Sequence, residues 1–248
     1  MQSYLPELAG IERGLRKGRN VHEGYQRGWG LQFAELRQRV LEDPLYGQAM
    51  ALAEGRTIMA ELNRMNIFLI LRFFLKPLAG GHIIEFGSYR GGNAIFMAKV
   101  AQALHPGMKV FALDTFEGMP RTDKAVDAHT EGDFAGVDFD ELRAYAAAKG
   151  LDNLAFVKGY FEDTAPGVLA RAGRISLAHI DCDIQPSVRY SYEAVKPAMV
   201  PGGYYVFDDA TVSSCIGATE VVEDLVIRRD GLNSEQIYPH FVFRAPGA

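Results

Sequence analysis

Two neighbouring strand-like runs of this chain end in acids. Ile175-Ser176-Leu177-Ala178-His179-Ile180 leads into Asp181-Cys182-Asp183, and Gly203-Tyr204-Tyr205-Val206-Phe207 leads into Asp208-Asp209. Adjacent parallel strands that end together gather such carboxylates around one point, where they repel unless a cation sits among them. Hard oxygen ligands select Mg²⁺, or else Ca²⁺ or Mn²⁺, over zinc. Asp181, Asp208 and Asp209 are read as the metal ligands, with water in the remaining positions. Such a metal serves chemistry on an alcohol, because coordination stabilises the developing alkoxide. A neighbouring carboxylate then takes the proton. Asp181 is the first candidate for this, since it adjoins the glycine turn at residues 87–92, and Asp183 is the second. His179 lies two positions before Asp181 and so on the same strand face. It offers a base or a group that orients one, against the plainer role of a satisfied core histidine. The plainer role for the acids is capping of the following helices, for which Pro186-Ser187 and Thr211 are rival candidates.

The glycine turn follows His82-Ile83-Ile84-Glu85-Phe86 and reads Gly87-Ser88-Tyr89-Arg90-Gly91-Gly92-Asn93 before an apolar helical pattern. A strand ending in Glu-x-Gly, a turn whose glycines admit a ligand to the backbone, and a helix with free N–H groups together suit an adenosine-containing cofactor. The spacing is Gly-x-x-x-Gly-Gly, not the Gly-x-Gly-x-x-Gly of nicotinamide enzymes, and fits a methionine-sulfonium cofactor that has no pyrophosphate. The second strand, 109–114, ends in Asp114, 29 positions after Glu85. An acid there accepts from ribose hydroxyls. Thr115 and Phe116 follow, the latter an aromatic for stacking on a purine. The third strand runs into Gly159-Tyr160-Phe161-Glu162-Asp163, where Phe161 would stack and Glu162 would accept from the exocyclic amine. Ser88, Thr115 and Gly159, with Asp181 beside the glycine turn, complete the set of cofactor-contact candidates.

These residues need a scaffold, and the pattern supplies one. Strand-like runs at 82–87, 109–114, 154–158, 175–181, 203–208 and 236–244 alternate with helical patterns at 93–104, 138–149, 164–172, 188–198 and 217–229. This alternation predicts an α/β fold with a doubly wound, mostly parallel Rossmann-like sheet and ligands at the strands' carboxyl ends. Residues 1–80 carry no strand signal. Leu31, Phe33, Leu36, Val40 and Leu41, and then Met59, Leu62, Met65, Phe68, Leu69 and Leu71, recur at near-helical spacing. The expectation is a helical N-terminal cap or lid over 1–80 and a catalytic domain over 81–248. Within the cap, Val21 to Gly30 is a glycine-spaced aromatic loop with the single tryptophan, Trp29, read as a surface loop or a flap that excludes water. His129 and Asp133 lie in a polar insertion, Arg121 to Asp138, placed to reach substrate.

The 248 residues are 48% hydrophobic and 23% charged, ordinary for a globular protein, and the net charge of −5 disfavours a nucleic-acid partner. Cys182 and Cys215 form no Cys-x-x-Cys pair, against a disulfide scaffold or zinc ribbon. MQSYLPELAG lacks the pattern of a signal peptide, and the run Met65 to Leu75 is broken by Arg72 and too short to span a bilayer. The expected setting is cytoplasmic, without a membrane partner, and the apolar N-terminal helices suggest a dimer or larger homo-oligomer.

EFGSYRGGNA, ALDTFEGMP, GYFEDT, HIDCDI and GGYYVFDDA together resemble the macrocin O-methyltransferase family over roughly 82–243. The resemblance implies a metal-dependent, S-adenosylmethionine-dependent O-methyltransferase acting on a sugar hydroxyl in natural-product (antibiotic) biosynthesis, on a nucleotide sugar or a glycosylated metabolite. It also implies that Glu85, Gly87, Tyr89 and Asn93 form the cofactor turn, Asp114 the ribose contact, and Phe161 with Glu162 the adenine border. Asp181, Asp208 and Asp209 match its metal ligands, and Asp181 its base. The chain departs from the family at Gln185, where a tyrosine is common. Ile184 stands where catechol-type methyltransferases use lysine. Cephalosporin hydroxylase-like proteins share many of these motifs. The alternatives are one of these enzymes, an NAD-dependent oxidoreductase on the same sheet, and a non-catalytic protein that binds S-adenosylmethionine.

Overall fold

The structure, a computed structural model, describes residues 36–78 and 80–247, together with the backbone of Leu15–Arg16 and Arg19–Asn20. The loop around Trp29, and Leu31 and Phe33, lie outside the described residues. Five strands, β1 (His82–Phe86), β2 (Val110–Asp114), β3 (Leu154–Lys158), β4 (Ile175–Ile180) and β5 (Met199–Phe207), run parallel in the order β3-β2-β1-β4-β5. Two more, β6 (Ser234–Gln236) and β7 (Phe241–Arg244), complete the edge as β5-β7-β6, with β7 antiparallel to both neighbours.

The 236–244 run expected as one strand is therefore two. Pro239 has no N–H to donate to a ladder, and His240 turns inward to Asp208 instead. A second difference lies before the sheet, where Leu15–Arg16 pairs antiparallel with Arg19–Asn20. Two-residue strands are too short to leave a period in the sequence.

Alternation along β1 sends Ile83 and Ile84 to opposite faces, and each face has its own core. Ile83, Val110, Leu177 and Val206 meet α1 (Leu36–Leu41), α2 (Pro44–Ala53), α3 (Glu61–Leu69, continued by a π-helical turn, Ile70–Phe74), α4 (Gly92–Leu104) and α5 (Phe139–Ala148). Ile84, Phe111, Ala178 and Phe207 meet α6 (Phe161–Ala172), α7 (Gln185–Val195) and α8 (Ile216–Val221, running on as π-helix to Arg229). Tyr46 packs edge to face on Phe68 and Phe96 within the first core, and those two rings meet at a tilt, joining α2, α3 and α4. Such aromatic pairs add about 1 kcal/mol each beyond their area.

Sheet register sets the site. Phe86 pairs with Ile180 and Ile180 with Phe207. The ladder continues one step, Asp181 N to Phe86 O at 2.9 Å and Asp208 N to Ile180 O at 3.0 Å. The first residues past three strands thus emerge side by side. Among the described residues no helix is long and apolar enough to cross a membrane.

Candidate active site

A cavity of about 550 Å³ opens at this carboxyl edge, a size that suits a small-molecule ligand. The turn after β1 forms one wall. Gly87 has φ +85°, and a Cβ there would lie 1.7 Å from the Asp181 carbonyl oxygen, so only glycine allows the two strand ends to touch. Gly92 is crowded likewise by the Arg56 carbonyl, which accepts its N–H at 3.0 Å and ties α4 to the segment before α3.

Glu85 anchors this wall from beneath. Its Oε1 accepts from Asn93 Nδ2 at 2.7 Å and its Oε2 from the Ser88 hydroxyl at 2.7 Å. Asp114 clamps the turn from the side, its Oδ2 accepting from the Ser88 and Tyr89 amides at 2.7 and 2.8 Å and its Oδ1 from the Phe116 amide at 2.7 Å. A ribose hydroxyl meeting Asp114 must share oxygens that already hold the backbone. Asn93 Oδ1, by contrast, is buried with no hydrogen-bond partner among the described residues, an acceptor left for a ligand.

The opposite wall is acidic. Asp181, Asp208 and Asp209 each bring a carboxylate oxygen within 4.8 Å of the other two. Asp208 Oδ1 accepts from Asn63 Nδ2 of α3 at 2.8 Å and lies 3.1 Å from His240 Nδ1, while Asn66 Nδ2 lies 2.7 Å from His240 Nε2. Burial works against the Asp208 charge, yet its histidine neighbours hold the carboxyl well below the usual range. Burial, and then the surrounding carboxylates, push Asp181 and Asp209 well above it. Burial also raises Asp183, with His129 opposing. A set of acids that resists ionising together has the donor chemistry of a divalent-cation site.

The structure brings Glu85, Gly87, Ser88, Tyr89, Asn93, Asp114, Thr115, Phe161, Glu162, Asp181, Asp183, Asp208 and Asp209 to this one cavity. Three expected residues do not line it. Phe116 is 2% exposed and packs on Phe139 and Phe156, leaving no face for a purine. Gly159 stays in the turn behind, its N–H bonded to the Asp114 carbonyl. His179 is fully buried behind the acids, with Nδ1 3.2 Å from Glu85 Oε1 and Nε2 3.7 Å from Asp208 Oδ1. Burial opposes its charge, but these two carboxylates lift its pKa to about 9. It lies against residues of both walls and is shut off from the cavity. Gln185 turns its side chain to Glu220, and its amide is capped by Asp127 Oδ1 at 2.9 Å, so Ser187 does not cap α7; Thr211 donates to the Pro239 carbonyl and does not cap α8.

Sequence reasoning missed Asn63, His240, Asp127 and Cys215. The signal for Asn63 was present, since Asn63 and Asn66 stand at i and i+3 in an apolar helix and are buried. Three cavity residues, Tyr89, Phe134 and Asp183, hold left-handed backbone at φ +48°, +64° and +59°. Such strain in non-glycine residues concentrates at functional sites.

The family described as macrocin-O-methyltransferase (TylF) matches residues 33–227. This chain belongs to that family. Within the macrocin-O-methyltransferase family view, its curated relatives include an 8-demethyl-8-(2,3-dimethoxy-alpha-L-rhamnosyl)-tetracenomycin-C 4'-O-methyltransferase of Streptomyces olivaceus, 32% identical over 63% of this chain and 64% of that protein. Mycinamicin III 3''-O-methyltransferase of Micromonospora griseorubida is 26% identical over 65% and 66%. The chain thus spans a little under two thirds of both. Among solved structures, the O-methyltransferase NovP superposes with TM-score 0.65 at 21% identity, covering 85% of this chain and 95% of NovP. Calicheamicin methyltransferase CalS11 gives 0.63 at 18%, covering 85% and 90%. At these identities the structural likeness is one of fold, a Rossmann-like methyltransferase sheet.

Proposed function

We propose that this chain is an S-adenosylmethionine-dependent, Mg²⁺-assisted O-methyltransferase acting on a sugar hydroxyl of a natural product. The observation that carries the reading is the facing of two walls across one cavity: the glycine turn 87–92, with the unpaired Asn93 Oδ1, and the buried acids Asp181, Asp208 and Asp209. Family membership and the sugar acceptors in the relatives' names support it.

Glu85, Gly87, Ser88, Tyr89, Asn93 and Asp114 would hold the cofactor, with Phe161 and Glu162 at its base end. When bound, the cofactor supplies an electrophilic methyl group on a sulfonium. Asp181, Asp208 and Asp209 would hold the cation, which when bound supplies positive charge where a hydroxyl loses its proton. The residues themselves do the rest. Asp181 or Asp183 accepts the hydroxyl proton, and a carboxylate whose proton affinity is raised by burial is well suited to that task. His179 and Asn63 hold Asp208 in place. The segment before the sheet, proposed as a cap, contributes Arg56 to Ala60 and Asn63 to the wall and helps to exclude water.

At the mouth, Ile58 is 71% exposed and Val212 42% exposed, apolar surface next to the cavity. This favours a glycoside carrying an apolar aglycone over a nucleotide sugar as acceptor.

The test is methyl transfer from S-adenosylmethionine to a panel of glycosides and nucleotide sugars, with and without EDTA. Turnover that needs Mg²⁺ is expected, and full activity after chelation rejects the metal's part. Asp181→Asn should abolish turnover while S-adenosylhomocysteine affinity stays nearly intact; unchanged turnover rejects that residue's role. Binding of NADH but not S-adenosylhomocysteine would favour an oxidoreductase.

A further inference from the structure

Beside the carboxylate wall lies a second cluster of different chemistry. His129 Nε2, Asp183 Oδ1 and Cys215 Sγ converge from three separate segments: the polar insertion, the loop after β4 and the start of α8. Their separations are 3.4 Å between His129 and Asp183, 3.6 Å between Cys215 and His129, and 3.6 Å between Cys215 and Asp183. The first is too long for an ordinary hydrogen bond between ring nitrogen and carboxylate. The Cys215 thiol is within hydrogen-bond reach of both partners, and all three separations match the edges of a metal tetrahedron. Zinc–ligand distances of about 2.0–2.1 Å to nitrogen and oxygen and about 2.3 Å to sulfur, at the tetrahedral angle, give edges of about 3.3–3.6 Å.

The surroundings fit the same geometry. His129 Nδ1 lies 3.3 Å from Asp133 Oδ2, and the Thr130 amide fixes that carboxylate at 2.8 Å. A carboxylate behind a histidine turns its other nitrogen into a metal ligand of fixed orientation. The Ser214 hydroxyl lies 3.6 Å from Cys215 Sγ, where it can support a thiolate. The Asp183 amide is bonded to Asp209 Oδ2 at 2.8 Å, so Asp183 stands next to the carboxylate wall without joining it. His129, Asp183 and Cys215 all line the cavity.

We propose that His129, Asp183 and Cys215 form a zinc site separate from Asp181, Asp208 and Asp209, with its fourth position open to the cavity. The mixed nitrogen, oxygen and sulfur set favours Zn²⁺ over the hard cations that suit the carboxylate wall. The thiol proton leaves to solvent on binding. One consequence rests on the methyl-transfer reading: bound Zn²⁺ withdraws Asp183 from proton transfer and lowers turnover.

The site is tested by binding, without reference to activity, so that its failure is distinct from failure of that reading. Metal-free protein is supplied with excess Mg²⁺ and titrated with Co²⁺ as a spectroscopic substitute for Zn²⁺. One equivalent should bind with tetrahedral d–d bands and a thiolate-to-cobalt charge-transfer band. Cys215→Ser should abolish that band, and Asp133→Asn should weaken affinity ~10–100-fold. X-ray absorption of the wild-type zinc form, which needs no variant, should give one sulfur ligand at about 2.3 Å. A zinc shell of nitrogen and oxygen only, or Co²⁺ spectra identical in wild type and Cys215→Ser, would overturn the proposal.

Discussion

Asp208 is the most constrained side chain at the acidic wall. Asn63 and His240 reach the same oxygen, Oδ1, and His179 stands behind it. Among the described residues no donor reaches the other oxygen, Oδ2, and Asp208 lines the cavity, as a metal ligand held by neighbours would require. Asn63→Ala removes one of those partners and leaves a buried carboxylate short of a donor. It should weaken Mg²⁺ affinity ~10–100-fold, measured by calorimetry, and lower stability by about 1–3 kcal/mol in urea unfolding. Unaltered Mg²⁺ affinity would show that Asn63 serves folding alone. Asp181 and Asp209 have fewer donors, which leaves repulsion among the acids to be met by an added cation.

At the scale of elements, the contact between the β1 turn and the β4 end depends on one missing methyl group. Gly87→Ala would drive a Cβ into the Asp181 carbonyl from a left-handed backbone. The expected cost is at least about 3 kcal/mol, read as a lowered urea midpoint with lost S-adenosylhomocysteine binding in whatever folds. A variant of wild-type stability would mean that the strand ends can separate freely. The five parallel strands, their crossover helices and the acids at their ends were legible in the sequence because each follows from a period or a terminus. Phe116 was misread since its left-handed backbone, φ +53°, swings the ring into the core, and no spacing rule reports φ. His240 and Asn63 escaped because they reach Asp208 from 32 and 145 positions away. The split between β6 and β7 was signalled by Pro239, and the two-residue pairing near the N-terminus was not signalled at all.

Across the whole molecule, stability and charge are linked through the same cluster. His179 has a folded-state pKa raised from 6.5 to about 9. A raised histidine stabilises the fold while protonated, so its contribution is complete below pH 6.5 and disappears as pH rises through about 9. The raised carboxyls of Asp181 and Asp209 act in the same direction, because ionising them in place is unfavourable. Metal-free protein should therefore show a falling Tm from pH 6 to pH 9.5 in scanning calorimetry, with His179→Gln flattening the slope. Mg²⁺ at about 100 times its Kd should add about 2.7 kcal/mol of stability at fixed pH, and a Tm indifferent to Mg²⁺ would count against the carboxylate site. The polar insertion between β2 and α5 bears on a further property. It is tied to itself, Met119 with Gly132 and Asp133, and Lys124 with Ala128, His129 and Thr130, and it meets the rest of the chain through side chains: Glu117 with Lys158, Asp127 with Gln185, Phe134 with Tyr89, and His129 with Asp183 and Cys215. A segment that carries its own internal ties can be transplanted as a cassette. Swapping residues 117–136 between relatives would then exchange acceptor preference while the sheet and its acids stay as they are.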